Sequence, residues 1–208
     1  AGSALTVDLI RPAVAAGARI LHLTGIMPAL SDSAAETVLW AARAARDAGI
    51  LVSFDVNFRA KLWTAQRAAA TLPTIAACAD VVIASEDELA LAVPEAYNGE
   101  AAAAAALAAL GVGQVIIKRG ADGATGWIDG QPHHVAAHQV VVRDTVGAGD
   151  AFTAGYLSGL LDGLDVQARL ERGAILGAFA VGYPGDWEAL PTRGELRLWE
   201  QQAGTTVR

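Results

Sequence analysis

The 208-residue chain carries 15 basic and 22 acidic residues, a formal charge of −7, and 53% hydrophobic residues. That balance excludes a protein that grips nucleic-acid backbones, because such affinity comes from clustered Lys and Arg, and no dense basic run exists. No stretch approaches the ~18 apolar residues of a membrane span, the N-terminus lacks a signal-peptide core, and a lone Cys78 in an apolar run cannot form an internal disulfide. Together these features predict a cytoplasmic α/β protein of one domain, or at most two small ones, with Cys78 inert in its core.

In chain order, the periodicity predicts a helix over 6–16 that accommodates Pro12, then an apolar strand over 19–23 closing at Thr24 and Gly25. A long amphipathic helix follows over 33–48, with Ser33 as N-cap, Glu36 at capping-box spacing and Gly49 at its end. Next come a strand over 51–56, a helix over 64–78 interrupted near Pro73, and a strand over 81–84. Helices are expected over 86–92 and 100–110; the second contains six consecutive alanines, which favour helix over a low-complexity linker. A strand over 115–118 leads into a β-rich stretch reaching Val142, punctuated by Gly120, Gly123, Gly126 and Gly130. Helices over 148–161, 166–181 and 193–201 complete the chain. Short apolar strands followed by crossover helices imply a mostly parallel sheet with helices on both faces, and ligands then bind beyond the carboxyl ends of the strands.

The strongest chemical signal lies at such a strand exit: Asp144-Thr145-Val146-Gly147-Ala148-Gly149-Asp150-Ala151-Phe152 follows a run of valines and opens an apolar-periodic helix. Glycines at 147 and 149 let backbone N–H groups converge where the helix dipole favours an anion. Asp150 enters in the first turn, and a carboxylate beside an anion-holding loop suits a base acting on an attacking hydroxyl. A second cluster is Asp55, Asn57 and Arg59, alternating at the carboxyl end of a strand and so expected on one face. Arg59 offers a planar fork for a carboxylate or phosphate, although a surface ion pair between Asp55 and Arg59 is the plain alternative. Ser85-Glu86-Asp87-Glu88 follows the next strand, where three acids could also do no more than complement a helix start. Lys118-Arg119-Gly120-Ala121-Asp122-Gly123 follows another, where the glycines could also do no more than turn a hairpin. His134 and His138 lie about 13 Å apart on an extended stretch, too far for one metal ion. His22 reads as a satisfied core residue, and Trp40, Trp127 and Trp199 read as packing.

These motifs resemble those of the ribokinase-like (PfkB) carbohydrate kinases, whose second signature, D-T-x-G-A-G-D-x-F, is matched throughout residues 144–152. The resemblance implies that Asp150 is the catalytic base and that Gly147, Ala148 and Gly149 form the anion hole. D-x-N-x-R-x-x-L-W, present from Asp55 to Trp63, is typical of the family's 2-keto-3-deoxygluconate kinases and related fructokinases. There the residue matching Arg59 reaches the sugar acid's carboxylate and lies near the ATP phosphates. The N-x-x-E segment appears as Ser85 to Glu88, with Ser85 at the usual Asn, and implies that Glu88 helps position Mg2+, partly through water. K-x-G-x-x-G appears with Lys118, Gly120 and Gly123 beside the nucleotide, so Asn57, Arg59, Ser85, Lys118, Gly120, Gly123, Gly147 and Gly149 form the implied ATP set. Gly185-Asp186-Trp187-Glu188-Ala189-Leu190-Pro191 resembles G-D-x-E-G-x-P, with Ala189 at the usual glycine, and assigns Asp186 to the sugar.

The expectation from the resemblance is a ribokinase-like core without the β lid. Such kinases begin with roughly a hundred further residues, about one small domain, that supply the first strands, a glycine-rich first signature and much of the sugar pocket. Without them an unpaired sheet edge invites self-association into a homo-oligomer. The implied activity is ATP-dependent phosphorylation of a small-molecule sugar or sugar acid, foremost 2-keto-3-deoxygluconate. Fructokinase, another hexose kinase, and a catalytically deficient nucleotide-binding remnant stand as alternatives; no nucleic-acid or membrane partner is implied.

Overall fold

The computed structural model describes residues 2–94, 97–185, 187, 188 and 190–196. Its elements run α1 (Val7–Ala15), β1 (Ile20–Thr24), α2 (Ile26–Leu30), α3 (Asp32–Asp47), β2 (Leu51–Asp55), α4 (Ala65–Ala76) and β3 (Val81–Ser85). Then follow α5 (Glu100–Ala109), β4 (Gln114–Lys118), β5 (Ala124–Ile128), β6 (Gln131–Val135), α6 (Ala148–Leu161) and α7 (Val166–Val181). Six strands form one sheet in the order β1-β2-β3-β4-β5-β6. The first four are parallel and β5 runs antiparallel to β4, as the mostly parallel reading requires. The chain divides into two compact units, Ala1–Arg119 with Ala124–His134, and Gly120–Gly123 with Val135–Arg208.

In the first unit, α3, α4 and the α5 segment are the crossovers that parallel strands demand. The central strands are buried on both faces: Val52, Phe54, Val82 and Ala84 alternate with Ser53, Asp55, Val81 and Ile83, all at most 1% exposed. Val52, Phe54, Val82, Ala84, Val115 and Ile117 join one cluster with Ala42 and Ala45 of α3, Leu72 and Ile75 of α4, and Leu107 of α5. Cutting Leu72 or Leu107 back to Ala would cost about 2–5 kcal/mol. Cys78 packs half-buried against this cluster, its thiol directed at the Thr74 carbonyl at 3.5 Å. Trp127 also packs there, and Trp40 carries the Arg11 guanidinium 5.0 Å from its ring centre. β1 stands at the edge of the sheet among the described residues, and its strand and α1 border an apolar groove of about 390 Å³ lined by Ile10, Val14, Leu21 and Met27. Edge placement explains why His22 is exposed rather than in the core; its Nδ1 lies 3.2 Å from Ser53 Oγ. Among the described residues no helix is long and apolar enough to cross a membrane.

Several expected boundaries move for local reasons. Ser31, not Ser33, caps α3, its hydroxyl accepting from Ala34 N–H at 3.1 Å. Gly49 does end that helix, with φ 71 and N–H donation to the Arg46 carbonyl. Pro73 does not interrupt α4: it sits in the last turns, and Ala77 N–H still reaches the Pro73 carbonyl at 3.0 Å. Where a helix is expected over 86–92, only a single 3-10 turn, Leu89–Leu91, forms. The short α2, with Pro28 inside it, is an addition to the expected elements.

In the second unit, α6 lies against α7 at backbone distance. A Cβ on Gly155 would come 2.6 Å from the Arg172 carbonyl oxygen, and one on Gly173 would meet the Phe152 ring at 2.9 Å. Asp165 caps α7, accepting from Ala168 N–H at 2.8 Å. The buried Arg172 donates to Asp162, just past the end of α6, at 2.6 Å. Residues 136–142 are not strand, and Val140, Val141 and Val142 are exposed: β propensity alone makes no strand without a ladder partner. Of the helix expected over 193–201, residues 193–196 are helical and 197–201 lie outside the described residues.

Candidate active site

Neighbouring strands β2, β3 and β4 end in polar residues, Asp55, Ser85 and Lys118. The register sets Ser85 opposite Lys118. Lys118 Nζ reaches past β3 to donate to Asp55 Oδ2 at 2.7 Å, with side-chain exposures of 15% and 1%. Asp55 therefore pairs with Lys118, and the surface pair with Arg59 weighed from the sequence does not form. The reason lies at Asn57. The chain leaves extended geometry there with φ 38, which breaks the alternation and turns Arg59 away.

Beyond β2, Asn57 is buried and the Arg59 side chain is 51% exposed. Arg59 Nη1 donates to the Phe58 carbonyl at 3.1 Å and stands 4.0 Å from Glu88 Oε1. Glu88, 13% exposed at its side chain, accepts from Phe58 N–H at 2.7 Å on Oε1 and from Ser85 N–H at 3.2 Å on Oε2. Ser85 Oγ donates to Asp87 at 2.6 Å. No α-helix starts at the acidic run, so helix-dipole complementation is not its role. Behind this group Arg119 bonds Glu100 and Thr125, stands 3.6 Å from Glu86, and connects through Thr125 to His134 Nδ1 at 2.9 Å. The structure thus brings Asn57, Arg59, Ser85, Glu88 and Lys118 to adjacent strand ends.

Glu88 is where a magnesium ion would be sought. Its two oxygens each face a backbone N–H, and among the described residues no three His, Cys, Asp or Glu side chains gather to hold a metal ion. Each oxygen keeps a further lone pair beside its amide bond, so Glu88 fits a role in holding Mg2+, directly or through water.

The second unit holds the long motif. Arg143 N–H bonds the Val181 carbonyl at 2.7 Å, and Asp144 Oδ1 accepts from Val146 N–H at 3.0 Å. Backbone N–H groups, that of Val146 foremost, hold the Asp144 carboxyl below the usual carboxylate range. Gly147 is left-handed at φ 75, and Ala151 N–H donates back to its carbonyl at 2.8 Å as α6 begins. Ala148 and Gly149 form the opening of α6, and Asp150 is exposed in its first turn. This is a helix N-terminus with a carboxylate beside it, as the motif predicts. Gly120 and Gly123, left-handed at φ 53 and 90, turn the β4–β5 connection, and Gly123 has a backbone atom of Val135 where a Cβ would be, 2.0 Å away. His138 bonds Glu171 at 2.8 Å. Asp186, Ala189 and Trp199 lie outside the described residues.

The Asp55–Lys118 pair and the double use of Glu88 escape sequence reasoning, since the partners are 63 and 30 residues apart. One usable signal exists: each partner stands at or just beyond the end of an apolar strand.

Comparisons with known proteins agree with this picture. Residues 7–193 match the pfkB family carbohydrate kinase domain. The chain is 38% identical over 183 residues to a 2-dehydro-3-deoxygluconokinase of Bacillus subtilis, covering 85% of this chain and 54% of that protein. It is also 38% identical over 184 residues to a fructokinase of Escherichia coli, covering 85% and 59%. The crystal structure of aminoimidazole riboside kinase from Salmonella enterica, complexed with aminoimidazole riboside and an ATP analog, superposes with a TM-score of 0.72 at 33% identity, over 87% of this chain and 62% of that one. The chain thus spans a little over half the length of the curated relatives it matches. With that match over most of its length, the chain belongs to the pfkB family of carbohydrate kinases.

Proposed function

We propose that this protein serves ATP-dependent phosphorylation of a hydroxyl on a sugar acid, foremost 2-keto-3-deoxygluconate, in the cytoplasm. The observation carrying the proposal is the left-handed Gly147 opening α6, with Asp150 in the first turn, inside the matched family segment. In this reading Asp150 takes the proton of the acceptor hydroxyl. The hydroxyl oxygen bonds to the γ-phosphorus as the bond to the β-phosphate oxygen breaks, and ADP leaves with that electron pair. The backbone N–H groups of Gly147, Ala148 and Gly149 are the donors for the charge on the moving phosphoryl group, that of Ala148 by leaving a long, 3.4 Å bond to the Thr145 carbonyl. Arg59, half-exposed with its fork turned outward, takes the substrate carboxylate and Asp186 a sugar hydroxyl. Gly120 and Gly123 let the backbone pass close to the nucleotide, and Asn57, Ser85 and Lys118 are assigned to it as well. ATP is supported by the Salmonella kinase with its ATP analog. Mg2+ would come with ATP, and Glu88 would help hold it, partly through water, since such ions keep most of their waters and bind through few carboxylates.

Equal identity to a fructokinase favours a neutral hexose as the second reading. A coupled ADP-release assay with 2-keto-3-deoxygluconate and fructose side by side, on the wild type and Asp150→Asn, tests both. The expected result is turnover of the sugar acid that Asp150→Asn lowers about 10²–10⁴-fold, with nucleotide affinity by calorimetry unchanged. Retention of more than about a tenth of the rate would remove Asp150 as base, and faster turnover of fructose would select the second reading.

A further inference from the structure

We infer that Arg119 is a positioning residue for the nucleotide: its guanidinium holds in place the turn at Gly120–Gly123. The inference rests on the reading above, in which that turn runs beside ATP. The backbone ladder closes the turn without anchoring it. β4 and β5 pair as far as Lys118 opposite Ala124, while β3 stops beside β4 where Ser85 stands opposite Lys118. Past Lys118, β3 therefore gives the chain no ladder partner.

Side chains take over at that point. Arg119, 18% exposed at its side chain, is the first residue past β4, and its fork reaches three elements. Nη2 donates to both carboxylate oxygens of Glu100, the first residue of α5. Nη1 donates to the hydroxyl of Thr125, a 1% exposed residue of β5 at the far foot of the turn. That hydroxyl in turn stands 2.9 Å from His134 Nδ1 on β6. Nε lies 3.6 Å from Glu86, directly after β3. One planar group thus joins both feet of the turn and fastens them to α5, with Glu86 at the β3 exit close by. A lysine would supply the charge but not the fork. Because its donors are committed to Glu100 and Thr125, Arg119 acts on ATP through the turn and not by contact. Two carboxylates around one guanidinium also leave surplus negative charge, the wrong sign for attracting a nucleotide.

That sign supplies the test. Removing a carboxylate near an anion site tightens the anion by Coulomb's law, unless the carboxylate holds the site in shape. Glu100→Ala is expected to weaken ATP about tenfold by calorimetry, the scale of one hydrogen bond to a charged group. Glu86→Ala, whose carboxylate is exposed and stands off from Nε, should leave ATP binding unchanged or tighter. Arg119→Met should match Glu100→Ala, and the double variant should go no further. In turnover, KM for ATP should rise about tenfold on the same scale while KM for 2-keto-3-deoxygluconate holds, a split that general loss of stability does not produce. In nucleotide-free protein, hydrogen exchange at the Ala121 to Gly123 amides should accelerate. Should Arg119→Met fail to fold, Arg119→Lys takes its place, with a smaller loss expected because it keeps the charge.

ATP held as tightly or more tightly by Glu100→Ala, equal rises in both KM values, or unaltered exchange in the turn would each overturn the inference. Failure of the kinase reading looks different. There the wild type itself binds no ATP and both readings fall, whereas tight binding by the wild type that Arg119→Met equals sinks this inference alone.

Discussion

Replacing Lys118 by Met isolates the buried pair at the strand ends. Its Nζ stands 2.7 Å from an Asp55 carboxylate that is 1% exposed. At that separation, with an effective dielectric constant of about 20, the gross attraction is about 6 kcal/mol. Desolvation of both groups offsets part of it. What survives is visible only when one charge is removed and the other stays buried, a loss of about 3–5 kcal/mol. Asp55→Leu combined with Lys118→Met should recover much of that loss, because a buried pair often does little better than apolar side chains of similar volume. Urea unfolding followed by tryptophan fluorescence reads mainly the first unit, which contains three of the five tryptophans, Trp40, Trp63 and Trp127. A complete double-mutant cycle then separates the coupling from the single costs. If Lys118→Met unfolds within about 1 kcal/mol of the wild type, below the range for breaking a buried pair, the reasoning fails. Lost ATP affinity at unchanged stability would instead mean that Lys118 serves the nucleotide, as its motif suggests.

Asp162 accepts from Arg172 at 2.6 Å and from Arg193 at 3.0 Å, and these bonds, that of Arg172 foremost, lower its pKa. Its contribution to stability is therefore full above the unfolded carboxylate value and lost as pH falls through the folded one. Asp162→Asn should lower the melting temperature at neutral pH by a gap that closes in acid, and a gap independent of pH would refute this. Gly123→Ala should cost the ~1–2 kcal/mol of a left-handed residue plus a backbone clash at 2.0 Å. Gly130→Ala, at φ 73 with nothing within 4 Å, should cost only the former; equal losses in denaturant titrations would contradict the geometry.

Where local chemistry determines structure, the sequence was legible. Gly147 and Asp150 read as a helix entrance and form one, because glycine in the left-handed region and a carboxylate in the first turn act within a few residues. Parallel pairing followed from the strand–helix alternation, and β5 was separable by the glycines before it. Ser33 misled because Ser33 and Glu36 have capping-box spacing, while the hydroxyl that captures an amide belongs to Ser31. The acids after β3 misled in another way. Their meaning depends on Phe58, thirty residues earlier, which arrives only when β2 and β3 lie side by side. Three valines before Arg143 had strand propensity, yet propensity does not supply a partner.

The glycine seam between α6 and α7 makes a bare methyl group a chemical perturbation. Gly155 lies five residues along α6 from Asp150, about 7.5 Å at 1.5 Å per residue, so the two move as points on one rigid rod. An alanine at 155 cannot be absorbed by a side-chain rotation, because the atoms in its way at 2.6–3.0 Å are the Arg172 carbonyl and the Gly173 Cα. The helix must slide or lift by a substantial fraction of an ångström. A base that works across a hydrogen bond tolerates only about 2.6–3.2 Å, so on the proposed role of Asp150 the clearance between two backbones more than a turn away acts as the gauge block that sets the carboxylate's reach.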